Sequence, residues 1–223
     1  DAKIWELSSP GINEFSALDY VYVDADVTLF QGQNQLNVKR IRKADEGEYH
    51  PADYLPVTTK DIPAMQHELI QYITTIKNEY LRKLASGYFN DPEFMKAFSF
   101  HSAAKSVHHG FVGGLLEHTL SVVKMCDYFS KQYPLINRDL LLTAAMFHDI
   151  GKTKELSAFP ANDYTDDGQL LGHIIIGSQM VKERIDAMPG FPKKLESELI
   201  HCILAHHGEL EYGSPKKPAL IEA

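Results

Sequence analysis

The stretch that most constrains this chain is Leu140-Leu141-Leu142-Thr143-Ala144-Ala145-Met146-Phe147, an almost wholly apolar run leading directly into His148-Asp149-Ile150-Gly151-Lys152. It reads as a helix buried on every side, because a helix apolar all round has no face to offer to water. A buried helix that ends in His-Asp is unusual. Neighbouring helical positions diverge by about 100°, so both side chains meet one ion only where the helix end faces a cavity, an arrangement that Gly151 permits. Taken alone, the pair has a plainer reading, an Asp that simply caps or pairs.

The surrounding chain carries the same period. Met65 to Ser86 places Leu69, Ile70, Ile73, Ile76, Tyr80, Leu81 and Leu84 at helical spacing, with Asp61 and Pro63 as start signals and Gly87 as a stop. Further helices are predicted from Asp91-Pro92 to Phe98, Gly114 to Lys131, Arg138 to Ile150 and Gly172 to Met188, with two more starting near Pro192 and Pro218. The first part of the chain differs. Residues Tyr20 to Phe30 and Gln35 to Lys43 alternate as strands around Gln31-Gly32-Gln33-Asn34, which predicts a β-hairpin. Two strands alone are marginal in water, so the hairpin reads as part of a truncated small barrel, with Trp5 in its core rather than as a base-stacking platform. From Ala44 to Pro63 the composition shifts to Asp, Glu, Gly, Pro and Thr, which marks a linker. The expected architecture is mainly α: a partial OB-like nucleic-acid-binding domain over 1–50, a linker over 51–64 and a helical domain over 65–223.

Composition bounds the function. A formal charge of −8 argues against binding nucleic acid through bulk positive charge. No run of about 20 uncharged apolar residues and no basic-then-apolar leader is read, so neither a membrane span nor a signal peptide is expected and the default location is cytoplasmic. Cys126 and Cys202 lie in apolar periodic segments and are expected to be reduced core residues. The opening at Asp1 and the helix-like end from Pro218 to Ala223 suggest a fragment.

Eleven histidines is a high count, and clusters of them suggest metal or acid–base chemistry. His118 lies in Gly113-Gly114-Leu115-Leu116-Glu117-His118-Thr119, at the start of a helix whose core stripe is Leu115, Leu116, Leu120, Val123 and Cys126. His173 follows Gly172 at another helix start, and His206-His207-Gly208 closes a helix carrying Leu199, Ile200, Ile203 and Leu204. Each of these histidines taken singly is an ordinary core or surface residue. Together, at the ends of apolar helices, they are a set of imidazoles with one carboxylate, a donor set that suits Mn²⁺, Fe²⁺, Zn²⁺ and related ions.

With these residues in place, the segment from about Phe100 to Ala223 resembles the HD phosphohydrolase superfamily. More narrowly, His108-His109-Gly110-Phe111, the Gly113 to Thr119 motif, His148-Asp149-Ile150-Gly151-Lys152 and His206-His207-Gly208 look like the YhaM-type 3′-to-5′ exoribonucleases, which place a small nucleic-acid-binding barrel before the HD domain. The resemblance implies two divalent ions, with Mn²⁺ expected and Fe²⁺, Zn²⁺, Ni²⁺ or Co²⁺ as alternatives. His118, His148 and Asp149 would hold one, and Asp149, His173, His206 and His207 the other. The family's last Asp ligand would follow Ile221-Glu222-Ala223. Cyclic-dinucleotide phosphodiesterases of the HD-GYP type share the histidine series, but Gly208-Glu209-Leu210-Glu211 stands where their Gly-Tyr-Pro element would be.

The chemistry explains the residue types. Phosphodiester hydrolysis needs a hydroxide at neutral pH and charge opposite the phosphate oxygens, and two ions about 3.5 to 4 Å apart supply both. Asp149 is the expected shared ligand and catalytic centre. Lys152 either contacts phosphate or a leaving group, or is a cation at a helix C-terminus. Lys39-Arg40-Ile41-Arg42-Lys43, near Tyr20, Tyr22 and Phe30, either tracks a phosphate backbone through Lys39, Arg40 and Arg42 or is a solvated strand face. His108 and His109 either face substrate or are structural. The expected activity is that of a metal-dependent exoribonuclease acting on single-stranded RNA, with DNA as an alternative. The competing readings are a phosphohydrolase of mononucleotides or cyclic nucleotides, and a non-catalytic regulator with a degenerate site.

Overall fold

A computed structural model describes residues 1–50, 53–105 and 109–208. His108, the expected helix near Pro218 and the segments Glu209 to Glu211 and Ile221 to Ala223 lie outside the described residues. Contacts divide the chain into two units, Asp1–Tyr54 and Leu55–Ala223.

The first unit is a three-stranded sheet in the order β1-β3-β2, built from β1 (Ala2–Lys3), β2 (Val21–Phe30) and β3 (Gln33–Lys43). β2 and β3 are antiparallel, with Phe30 opposite Gln33 and Val21 opposite Lys43, and a register shift falls at Asp24/Ala25. The loop between them is Gln31-Gly32, both at positive φ, as a type I′ hairpin turn demands. β1 pairs with β3 in parallel. Trp5 departs from its expected place in a core: it is 74% exposed. Its indole N–H donates to Asn37 Oδ1 (3.1 Å) and Lys3 lies over its ring, so surface contacts hold it.

The second unit is helical: α1 (Ile62–Thr74), α2 (Glu79–Phe89), α3 (Pro92–Phe100), α4 (Gly114–Gln132), α5 (Arg138–Phe147), α6 (Lys152–Glu155), α7 (Asp166–Leu170), α8 (Gly172–Asp186) and α9 (Lys193–Ala205). As its sequence demands, α5 is the central element, packed against α4, α2 and α9. Leu140, Leu142, Met146 and Phe147 are fully buried. Around Phe147 sits an aromatic cluster, with Phe89 at 5.7 Å and Tyr88 at 5.5 Å between ring centroids, and Phe98 at 5.2 Å from Phe89. None of the described helices is long and apolar enough to cross a membrane.

The first helix begins at Ile62, three residues before the start read from the sequence, and two further boundaries change. The single helix read from Met65 to Ser86 is two, broken over Thr75–Asn78. Asn78 caps α2, its Oδ1 accepting the N–H groups of Tyr80 (3.0 Å) and Leu81 (3.2 Å), while Asp139 Oδ2 accepts those of Lys77 (2.9 Å) and Asn78 (2.7 Å). These side-chain acceptors compete with helix continuation. The apolar period runs through the break because Ile76 is buried in the same core. Gly87, read as a stop, lies inside α2, where its carbonyl accepts from Arg184 (2.6 Å) and a Cβ would stand 2.9 Å from that guanidinium. The other change is at α5, which ends at Phe147, so that His148 to Gly151 form a turn before α6.

Replacing Asn78 by Ala is expected to lower folding stability by about 1 kcal/mol, the usual worth of an N-cap. Asp139→Ala leaves the part-buried N–H of Asn78 and the exposed N–H of Lys77 without their acceptor and should cost more, at about 1 to 3 kcal/mol for the part-buried group. Urea midpoints of the two variants check this order.

Candidate metal centre

Asp149 leaves the turn after α5 with its carboxylate almost fully buried, and four imidazoles surround it. Its two oxygens face different partners. Oδ2 lies 3.4 Å from Nε2 of His118 and 3.4 Å from Nε2 of His148, while Oδ1 lies 3.4 Å from Nε2 of His173 and 3.7 Å from Nε2 of His206. Two groups of donor atoms result, each compact enough for one ion: His118, His148 and Asp149, and His173, His206 and His207, with the atoms of each within 4.8 Å of one another. The His207 ring packs on those of His206 (4.4 Å) and His173 (5.1 Å).

Local structure brings these residues together from far apart in sequence. His118 stands in the second turn of α4, His148 and Asp149 follow α5, His173 is the second residue of α8, and His206 and His207 follow the last turn of α9. At that last end the chain leaves the helix through Gly208 at φ +75°, a conformation that costs a non-glycine residue strain. The α5–α6 turn and the start of α8 approach until a Cβ on Gly151 would stand 2.0 Å from the His173 carbonyl oxygen. Only glycine fits there.

The rings are also held by their outer nitrogens. Nδ1 of His148 donates to the Ala145 carbonyl (2.8 Å), Nδ1 of His206 to the Ile203 carbonyl (2.7 Å), and Nδ1 of His173 to Glu155 Oε1 (3.0 Å). Because those acceptors carry no proton, Nδ1 keeps its proton whenever the ring is neutral, and the lone pair then sits on Nε2, beside Asp149; Nε2 of His148 also lies 3.0 Å from Nε2 of His118. Nε2 of His173 and of His206 are buried and have no hydrogen-bond partner among the described residues. A buried lone pair with no donor opposite it is costly, and a divalent cation is the group that these atoms fit.

The electrostatics of His118 and His206 agree with this use. Burial and the charge of His148 hold the His118 imidazole down at about 4, and burial does the same to His206, so both rings are neutral ligands near pH 7. Burial works against a charge on His148, but the adjacent Asp149 carboxylate outweighs it and raises the pKa. Burial likewise opposes ionisation of Asp149, yet His148, Lys152 and His173 hold its carboxyl well below the usual carboxylate range.

Lys152 opens α6 and is not at a helix C-terminus. Its Nζ lies 3.8 Å from Asp149 Oδ1 and 3.9 Å from Glu155 Oε2, and its side chain is 14% exposed. Glu155 escaped the sequence reading. It is buried, accepts both the backbone N–H and Nδ1 of His173 at 3.0 Å, and is kept ionised by that contact. No local pattern marks it, since its partner is 18 residues away. His109, at φ +63°, places its ring 5.4 Å from that of His118. The cations of β3 lie in the other unit, and most are paired: Lys39 with Asp26 (2.6 Å), Arg42 with both oxygens of Glu48 (2.7 and 2.8 Å) and Lys43 with Asp19 (2.6 Å). Among the described residues no ion pair engages Arg40, which lines a groove with Tyr22, Asp24, Pro10 and Asn13. Cys202 is buried as expected, but Cys126 is only half-buried, and both border a cavity of about 490 Å³ that opens beside the histidines.

Removing the Glu155 carboxylate should leave the fold in place and free the His173 ring. Glu155→Ala is expected to weaken metal binding at the His173 group by about 10- to 100-fold, the usual effect of losing such a partner. Calorimetric titration with Mn²⁺, alongside circular dichroism, checks it.

The HD domain family matches residues 115–223. The 3′-5′ exoribonuclease YhaM of Bacillus velezensis is 36% identical over an alignment of 227 residues that takes in all of this chain and 70% of that protein. No solved structure matches. Identity of that degree along the entire chain, with the HD domain laid over the helices that carry the histidines, means that this chain belongs to the YhaM family of HD-domain proteins.

Proposed function

We propose that this chain is a metal-dependent 3′-to-5′ exoribonuclease that hydrolyses single-stranded RNA, using two divalent ions of which Mn²⁺ is the expected one. The observation that carries the reading is the division of the Asp149 carboxylate between two histidine groups. His118, His148 and Asp149 would hold one ion, and Asp149, His173, His206 and His207 would hold the other. Such ions, when bound, supply a water acidic enough to attack at neutral pH and positive charge opposite the phosphate oxygens.

The protein's own part is positioning. The Ala145 and Ile203 carbonyls and Glu155 lock three rings in one tautomer and direction. Lys152, held between two carboxylates at the cavity wall, donates to a non-bridging phosphate oxygen or to the departing 3′ oxygen. His109, beside His118, faces the same substrate. In the sheet unit, which we read as OB-like, Arg40 supplies the phosphate contact that the paired Lys39 and Arg42 supply less readily. The reading carries a cytoplasmic location with it.

Incubation of 3′-tailed and 5′-tailed labelled RNA, with and without Mn²⁺, tests the activity: release of 5′-mononucleotides from 3′ ends is expected, and hydrolysis of free mononucleotides instead would overturn it. Asp149→Ala should abolish hydrolysis and metal retention with the helical circular dichroism spectrum kept. His206→Ala and His207→Ala should each lower metal content from about two ions to about one; retention of two ions by both would remove these residues from the centre. Arg40→Ala should reduce the slope of log affinity against log salt on a 20-mer RNA by about 1, as the loss of one phosphate contact does.

A further inference from the structure

His109 reaches its place beside His118 on a backbone that the surrounding chain has to hold. It is a non-glycine residue at φ +63°, a conformation that persists only where neighbouring structure fixes it. Its carbonyl accepts the Ala103 N–H (3.0 Å), and a Cβ on Gly114, the first residue of α4, would stand 2.0 Å from that same oxygen. Ala103 is flanked in turn by residues that one side chain holds. Asn162 Oδ1 accepts the Ser102 hydroxyl, and its Nδ2 donates to the carbonyls of Ala104 (3.3 Å) and Lys105 (3.2 Å). Both amide hydrogens meet oxygens that can only accept, so the orientation of the amide is fixed.

Asn162 is buried and stands at φ +44° on the loop that joins α6 to α7. That loop is closed at its base, where Leu156 and Tyr164 pair as an antiparallel bridge and the Ser157 N–H donates to the Asp163 carbonyl (2.8 Å). Two more contacts tie the same segments: His101 Nε2 donates to the Leu156 carbonyl (2.9 Å), and Lys105 Nζ lies 2.5 Å from Asp163. The Lys105 pair is exposed on both sides, and exposed pairs contribute little. Removing the Asn162 amide, by contrast, leaves buried polar groups without partners. We propose that Asn162 is a positioning residue, clamping residues 102–105 so that the His109 ring stays beside His118 where RNA meets it; the inference rests on the exoribonuclease reading of that site. The bonds of the amide all go to this one segment, so its loss is felt at His109 and not in the hold on metal.

Asn162→Gly removes the amide and keeps a residue that adopts φ +44° without strain. In the Mn²⁺-loaded protein it should lower kcat/KM on a labelled RNA by about tenfold or more, as the loss of a hydrogen bond to a charged group does. Metal content and circular dichroism should match the parent. His109→Ala should lower kcat/KM by a similar factor, and the double variant should fall no more than about twofold below His109→Ala, because residues that act through one another are not additive. Ser102→Ala, which removes one of the bonds from the other side, should show a smaller loss that His109→Ala likewise absorbs. Amide exchange read by mass spectrometry should be faster over residues 101–111 in Asn162→Gly and unchanged over α8. Losses that multiply to about 100-fold in the double variant, parent kcat/KM in Asn162→Gly or in His109→Ala, or unchanged exchange over 101–111 would each overturn the proposal. Exchange is read without turnover, so a parent protein that leaves RNA intact refutes the exoribonuclease reading alone, and the clamp is then decided by exchange.

Discussion

A carboxylate buried at the end of an apolar helix is the constraint on which the helical unit depends. Asp149 reaches its place because α5 is too apolar to lie anywhere but the centre, and the turn after Phe147 has no route to the surface. An isolated charge there would cost several kcal/mol even after relaxation. Lys152 Nζ, 3.8 Å from Oδ1, offsets part of this cost, and the ends of three other helices come to the same point, so that Asp149 has four imidazoles within 3.7 Å. Gly151 is part of the same solution, since the approach of α8 that delivers His173 leaves no room for a side chain.

His118 and His148 lie within hydrogen-bond distance, Nε2 to Nε2 at 3.0 Å. Backbone carbonyls from the last turns of α5 and α9 and the Glu155 carboxylate take the outer nitrogens of three rings, which turns the inner ones toward Asp149. Rigidity of this kind comes from secondary structure itself: the carbonyls belong to helix ends, where they have no intrahelical partner.

The sheet unit follows a different logic. Its run of cations suggests a basic strand, but acidic residues on the same unit engage Lys39, Arg42 and Lys43, which leaves far less free positive charge than four cations in five residues imply. Arg42 also lies 4.6 Å from the centre of the Tyr22 ring, so the aromatic and the cation read as separate nucleic-acid contacts are partners of each other.

The sequence alone determined the helical class, the central place of α5, the hairpin and the histidines at helix ends, because apolar period, turn residues and helix termini are local properties. Asn78 and Asp139 broke the helix read as continuous from Met65 to Ser86, since a capping acceptor 61 residues away leaves no mark on the apolar period. The division of Asp149 between two groups, the Nε2 atoms of His173 and His206 without a hydrogen-bond partner among the described residues, Glu155 behind His173 and the ion pairs that quiet β3 were decided by tertiary structure. Each depends on the distance between residues remote in the chain. Periodicity shows which face of an element is buried, but hydrogen bonds and ion pairs form only where packing has brought two such faces within about 3 to 4 Å.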